Sequence, residues 1–66
     1  MQLPSSNTVT RRVRILADNG HEALVRCVDS KAEYVLPMAN ADFAPTGPNV
    51  YLMTLGETTA IDAGII

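Results

Sequence analysis

The sequence predicts an all-β protein: a small, strongly bent antiparallel sheet or partly open barrel, SH3-like or OB-like, of four to five strands with an extended N-terminal arm and a C-terminal tail. Three observations carry this expectation. Apolar and polar residues alternate over short runs, Asp18-Asn19-Gly20 is a strong hairpin signal between two such runs, and no segment keeps a helical period for long. Short strands joined by tight turns leave the fewest open edges when they curl into a barrel-like sheet.

A chain of 66 residues can enclose one hydrophobic core at most, so residues 1–66 are expected to form a single domain. Residues 1–7, MQLPSSN, carry a proline and a polar cluster without periodicity and read as an arm. Residues 8–36 read as a three-stranded meander. In its first strand Val9, Val13 and Ile15 fall on one side, and Thr10, Arg12 and Arg14 on the other. In its third strand Tyr34 and Leu36 oppose Glu33 and Val35, and Pro37 ends the strand by removing a backbone donor.

Residues 37–49 hold three prolines and a glycine and read as a loop with at most one helical turn around Ala39 to Phe43. Residues 50–66 read as a C-terminal strand and tail. The run Val50 to Gly56 is apolar on both sides, which marks a strand covered on both faces or lying in an interface. After it, a short strand or extended tail is favoured over a helix from Thr58, because Gly64 and the β-branched isoleucines disfavour helix.

Registers decide what the arginines do. Arg11, Arg12, Arg14 and Arg26 are four of the five basic residues. A two-residue Asn19-Gly20 turn would set Val13 opposite Arg26 and mix the two faces. A three-residue loop with Gly20 at its bulge sets Val13 opposite Val25, Ile15 opposite Ala23 and Arg12 opposite Arg26, and it is preferred because the inner face stays apolar. Two arginines directly opposite one another repel, so a carboxylate or a bound phosphate should compensate. In the second hairpin a four-residue loop would bring Glu33 opposite Arg26, whereas a Ser30-Lys31 turn would not.

The formal charge is −2, with five basic against seven acidic residues, far from the balance of a dedicated nucleic-acid binder. No charged segment leads into an apolar run at the N-terminus, and no apolar stretch is long enough to span a bilayer. The expectation is a protein that is neither secreted nor membrane-bound: cytoplasmic, or in the virion if the source is viral. One cysteine and one histidine supply neither an intrachain disulfide nor a four-ligand zinc site, and neither a metal nor any other cofactor is expected. Cys27, His21 and Asp29 offer the residue types of nucleophilic catalysis, but Cys27 falls on the inner face as a small hydrophobe. No catalytic residue is assigned, and the chain is not expected to be an enzyme.

Two function classes follow. Leu16, Leu24 and Val35 fall on the outer side of their strands, and Tyr51, Met53 and Leu55 add more apolar surface than one small core holds. This favours a non-enzymatic structural module that associates with itself or with a larger complex, such as an accessory or decorating subunit of a viral capsid. Its candidate partner contacts are Met1, Leu3, Tyr51, Met53, Leu55, Ile65 and Ile66. The alternative is a small nucleic-acid-binding barrel using Arg12, Arg14 and Arg26 as an anion-gripping face.

Overall fold

The computed structural model describes residues 7–66, so the expected partner contacts Met1 and Leu3 lie outside the described residues. The chain order is β1 (Thr8–Asp18), β2 (Glu22–Cys27), β3 (Glu33–Pro37), a 3-10 turn (Met38–Asn40), β4 (Ala41–Gly47), β5 (Val50–Gly56) and α1 (Glu57–Ala63). The strands form one five-stranded antiparallel sheet in the order β3-β2-β1-β5-β4. The all-β expectation therefore holds.

Strand β1 organises the sheet because it is long enough, at 11 residues, to serve two neighbours in succession. Its first half, Thr8 to Val13, pairs with β5, and its second half, Val13 to Asp18, pairs with β2. Val13 has a register partner on each side, Cys27 and Tyr51, and is fully buried. The period-two alternation then fills one face. Val13, Ala23, Val25, Leu36, Met53, Leu55 and Ala60 make the core, with Val9, Ile15, Tyr34, Phe43, Tyr51 and Ile65 packed around it.

The first hairpin differs from both registers weighed above. Val13 faces Cys27, Arg14 faces Arg26 and Ile15 faces Val25, two residues away from the preferred pairing. Two local features cause the slip. The Asn19 amide oxygen accepts the backbone N–H groups of His21 and Glu22, each at 2.8 Å, which puts Gly20, at φ 89°, and His21 at the centre of the turn. A bulge between Ile15 and Ala17 then adds one residue to β1. Because the slip is even, the side chains of β1 up to Ile15 keep their expected faces, and past the bulge Ala17 stands opposite outer-face Leu24.

Two segments are corrected outright. The Pro-rich segment is a strand and not a loop: β4 pairs with β5 from Ala41↔Leu55 to Gly47↔Val50. Pro45 is tolerated because β4 is an edge strand, where a missing N–H leaves no ladder bond unmade. Pro48 and Asn49 form the hairpin turn, with Asn49 at φ 61° in the left-handed region.

The tail is the second correction, since it is a helix through Ala63. Gly64 does not interrupt that helix; it ends it, at φ 86°. The Gly64 N–H donates to the Ile61 carbonyl at 3.1 Å and the Ile65 N–H to the Ala60 carbonyl at 2.9 Å, the paired bonds of a glycine-terminated helix. At the other end Glu57 places a carboxylate in the first turn, where the helix dipole favours it, and its N–H donates to the Asn7 carbonyl at 3.0 Å.

Candidate functional site

The outer face of the sheet carries the charged rows. Arg14 and Arg26 are cross-strand neighbours, and Arg26 is also directly opposite Glu33 on β3. The second hairpin thus has the four-residue loop, fixed by Cys27 N–H to Ala32 carbonyl and Lys31 N–H to Cys27 carbonyl bonds, both 2.8 Å. The Arg26 Nε and Nη2 both donate to Glu33 Oε2, at 3.1 and 2.5 Å.

Arg12 lies elsewhere than expected. It sits opposite Leu52 on β5, and its Nη2 donates to Asp29 Oδ1 at 2.9 Å. Two of the three candidate arginines are therefore neutralised from within the chain. Arg14 has no ion-pair or hydrogen-bond partner among the described residues. The expected clash of Arg12 with Arg26 is corrected to Arg14 with Arg26, because the Leu16 bulge and the Asn19 turn displace β1 along β2.

Beside these residues lies a hollow of about 360 Å³ lined by Arg14, Arg26, Cys27, Val28 and Lys31. Sequence reasoning missed Lys31. It lies in the second hairpin loop, and with that register unsettled nothing local shows which face the loop joins.

Directly beside the arginines on the same face the surface becomes apolar. Leu24 pairs with Val35, and the Leu16 bulge stands opposite Leu24. Leu16 is 41% and Val35 54% exposed. A second hollow of about 250 Å³, lined by Ala17, Leu24 and Val35 together with Asp18, Asn19, Glu22 and Ala23, opens there.

The other expected partner contacts separate. Met53 and Leu55, at 0% and 2% exposure, are core residues and not contacts, which corrects the expectation for both. The reason is α1: Met53, Leu55 and Ala60 share one core cluster, so the helix covers the face to which these alternate residues of β5 point, while Val50, Leu52 and Thr54 face outward. Tyr51 is half-buried with its ring edge against Phe43, the ring centres 6.3 Å apart. Ile65 is half-buried against the core, whereas Ile66 is exposed, as is Ile61 on α1.

Cys27, His21 and Asp29 are not brought together as a catalytic set. His21 precedes β2 and Cys27 ends it, so their backbones stand about 20 Å apart at roughly 3.4 Å per residue. Among the described residues no three His, Cys, Asp or Glu side chains converge to hold a metal ion. No helix is long and apolar enough to cross a membrane.

Cys27 is nevertheless chemically distinct. Its thiol is held below the ordinary value, first by the Ser30 hydroxyl and then by the Ser30 and Asp29 backbone groups, against burial and the Asp29 charge, which push it up. Ser30→Ala is expected to raise the Cys27 pKa, measured by thiolate absorbance against pH. A pKa depressed in the folded state adds stability that is fully present above the unfolded thiol's value of about 8.5 and is lost as the pH falls through the folded value. The stability gap between the native chain and Ser30→Ala should accordingly widen as the pH rises past neutrality, and a constant gap would contradict this account.

No family model matches the chain, and no curated protein and no solved structure matches it either. The chemistry of the outer face is thus the ground on which function is read.

Proposed function

We propose that this protein is a non-catalytic interaction module that associates through the apolar end of its outer face. The observation that carries the reading is the contiguous patch of Leu16, Leu24 and Val35 on neighbouring strands, with two of its three large side chains more than 40% exposed. Exposed apolar side chains that adjoin across strands mark interaction surfaces, whereas single ones are ordinary. A chain this short, with one free cysteine, gains the stability that disulfides or metals give other small domains by covering such a patch.

The occupant proposed is a second copy, patch against patch across a two-fold axis, because one apolar surface is complementary to itself. A role as an accessory or decorating subunit of a larger particle, such as a viral capsid, uses the same module, and a cytoplasmic or virion location accompanies it. The finer fold proposed is a partly open SH3-like or OB-like barrel. Its support is a length argument: the edge strands β3 and β4 are separated by three residues, a link spanning at most about 14 Å. The edges of a flat five-stranded sheet stand about 19 Å apart.

Sedimentation equilibrium over a wide concentration range tests the association. The native chain should reach the mass of a dimer, little affected by salt because apolar burial drives it. Val35→Lys should weaken the dimer by more than about tenfold, or ~1.4 kcal/mol, and should lower the melting temperature only at concentrations where the native chain is dimeric, since Val35 is an outer-face residue 54% exposed in the single chain. A native chain that stays monomeric would overturn the reading, and so would a Val35→Lys variant that dimerises as before.

The arginine face is less suited to a nucleic-acid backbone than the sequence suggested, given that Arg12 and Arg26 are each engaged by a carboxylate. What remains is a compact cationic hollow.

A further inference from the structure

We propose that the hollow beside the β2–β3 loop binds a phosphate dianion, either free or as the terminal group of a phosphomonoester. Arg14, Arg26 and Lys31 line it together with Cys27 and Val28, and no carboxylate does. Its volume of about 360 Å³ lies at the small end of ligand pockets, which run from about 300 to 1,000 Å³. That space is many times the roughly 30 Å³ share of one water molecule, so it takes a phosphate together with a short organic tail.

Charge points to the same ligand. Arg14 and Arg26 face one another across β1 and β2, a pairing that repels unless an anion intervenes. Glu33 supplies half of what is needed. Both of its bonds with Arg26 run from Nε and Nη2 to one oxygen, Oε2, so Arg26 Nη1 has no partner among the described residues. Asp29, the other nearby carboxylate, is taken up by Arg12.

Arg14 and Lys31 have no ion-pair partner among the described residues. Three cations against Glu33 leave a local surplus of two positive charges in a chain whose formal charge is −2. A phosphate dianion balances that surplus. Two guanidinium groups supply paired N–H donors suited to its oxygens, and the Lys31 ammonium adds a point charge from a loop whose backbone is pinned at both ends.

This site goes beyond the association surface, which it adjoins: Leu24 and Val35 lie two residues along β2 and β3 from Arg26 and Glu33. Calorimetric titration at low salt tests it, with inorganic phosphate, glycerol 3-phosphate and a single-stranded oligonucleotide as separate probes. Phosphate and glycerol 3-phosphate should each saturate one site per chain. An Arg14→Gln, Lys31→Gln variant should weaken both by about tenfold or more.

Arg11→Gln removes a cation from the same strand that lies outside the hollow and holds no carboxylate among the described residues, and it should change either affinity by no more than about twofold. Glycerol 3-phosphate binding better than free phosphate would assign the site to esters, and the reverse to the free anion. The proposal fails if neither probe saturates, or if Arg11→Gln is as damaging as the pocket variant. It also fails if the oligonucleotide binds more tightly than both small anions, since the arginines would then form a track for a polyanion.

Discussion

Leu36→Ala is expected to destabilise the protein by about 2–5 kcal/mol. Leu36 is among the largest fully buried side chains, opposite Ala23 on β2. Removing its isobutyl group leaves a cavity bounded by strands that cannot collapse into it without breaking the ladder. A domain of this size has roughly 3–10 kcal/mol of stability in all, so the variant loses about a fifth of it or more. Urea unfolding followed by circular dichroism should show the midpoint falling at unchanged slope. Its neighbour supplies the contrast: Val35, one residue earlier, is 54% exposed, and Val35→Ala should stay within about 0.5 kcal/mol. Equal effects from the two variants would mean that β3 does not present alternate residues to core and solvent.

Ala60→Asp should cost about 3–5 kcal/mol, as an uncompensated charge in the core does. Ala60 is completely buried on the inner side of α1, against the core residues of the sheet. No arginine or lysine belongs to that cluster, so the carboxylate finds no partner. The variant also predicts its own pH dependence. Burial raises the pKa of the introduced carboxyl in the folded state above the unfolded value of about 3.9. The deficit is therefore smallest below that value, where both states are protonated, and grows as the pH rises through the folded-state pKa. Hydrogen exchange should show the amides of α1 losing protection first at neutral pH. An Ala60→Asp chain as stable as the native one would place α1 away from the sheet.

The second experiment addresses one of the two segments that were hardest to read in advance. Gly64 looked like an argument against a helix, because glycine inside one is unfavourable. At φ 86° it sits one position past the end, where only that freedom is needed. Pro45 looked like an argument against a strand, yet β4 occupies the edge, where proline is harmless. In both cases the local preference was read correctly and its position relative to the element was not.

Local chemistry did specify a good deal. The alternation of Val9, Val13 and Ile15 with Thr10, Arg12 and Arg14 assigned each side chain to its face, and the signal at Asp18-Asn19-Gly20 placed the first turn. Such patterns involve residues within a few positions of one another, so the sequence displays them directly. The pairing of Arg26 with Glu33 was foreseen as one of two registers.

Long-range contacts settled the rest. Met53 and Leu55 are core residues because α1 covers the face of β5 to which they point, with Phe43 and Ala41 of β4 beside them on that face. The Leu16 bulge moved Arg14 rather than Arg12 beside Arg26, and so created the cationic hollow next to the second hairpin loop. Neither outcome can be read from neighbours in the chain: burial and register arise from strands that meet from distant parts of it, and the energy of those meetings exceeds the local preferences of single prolines and glycines.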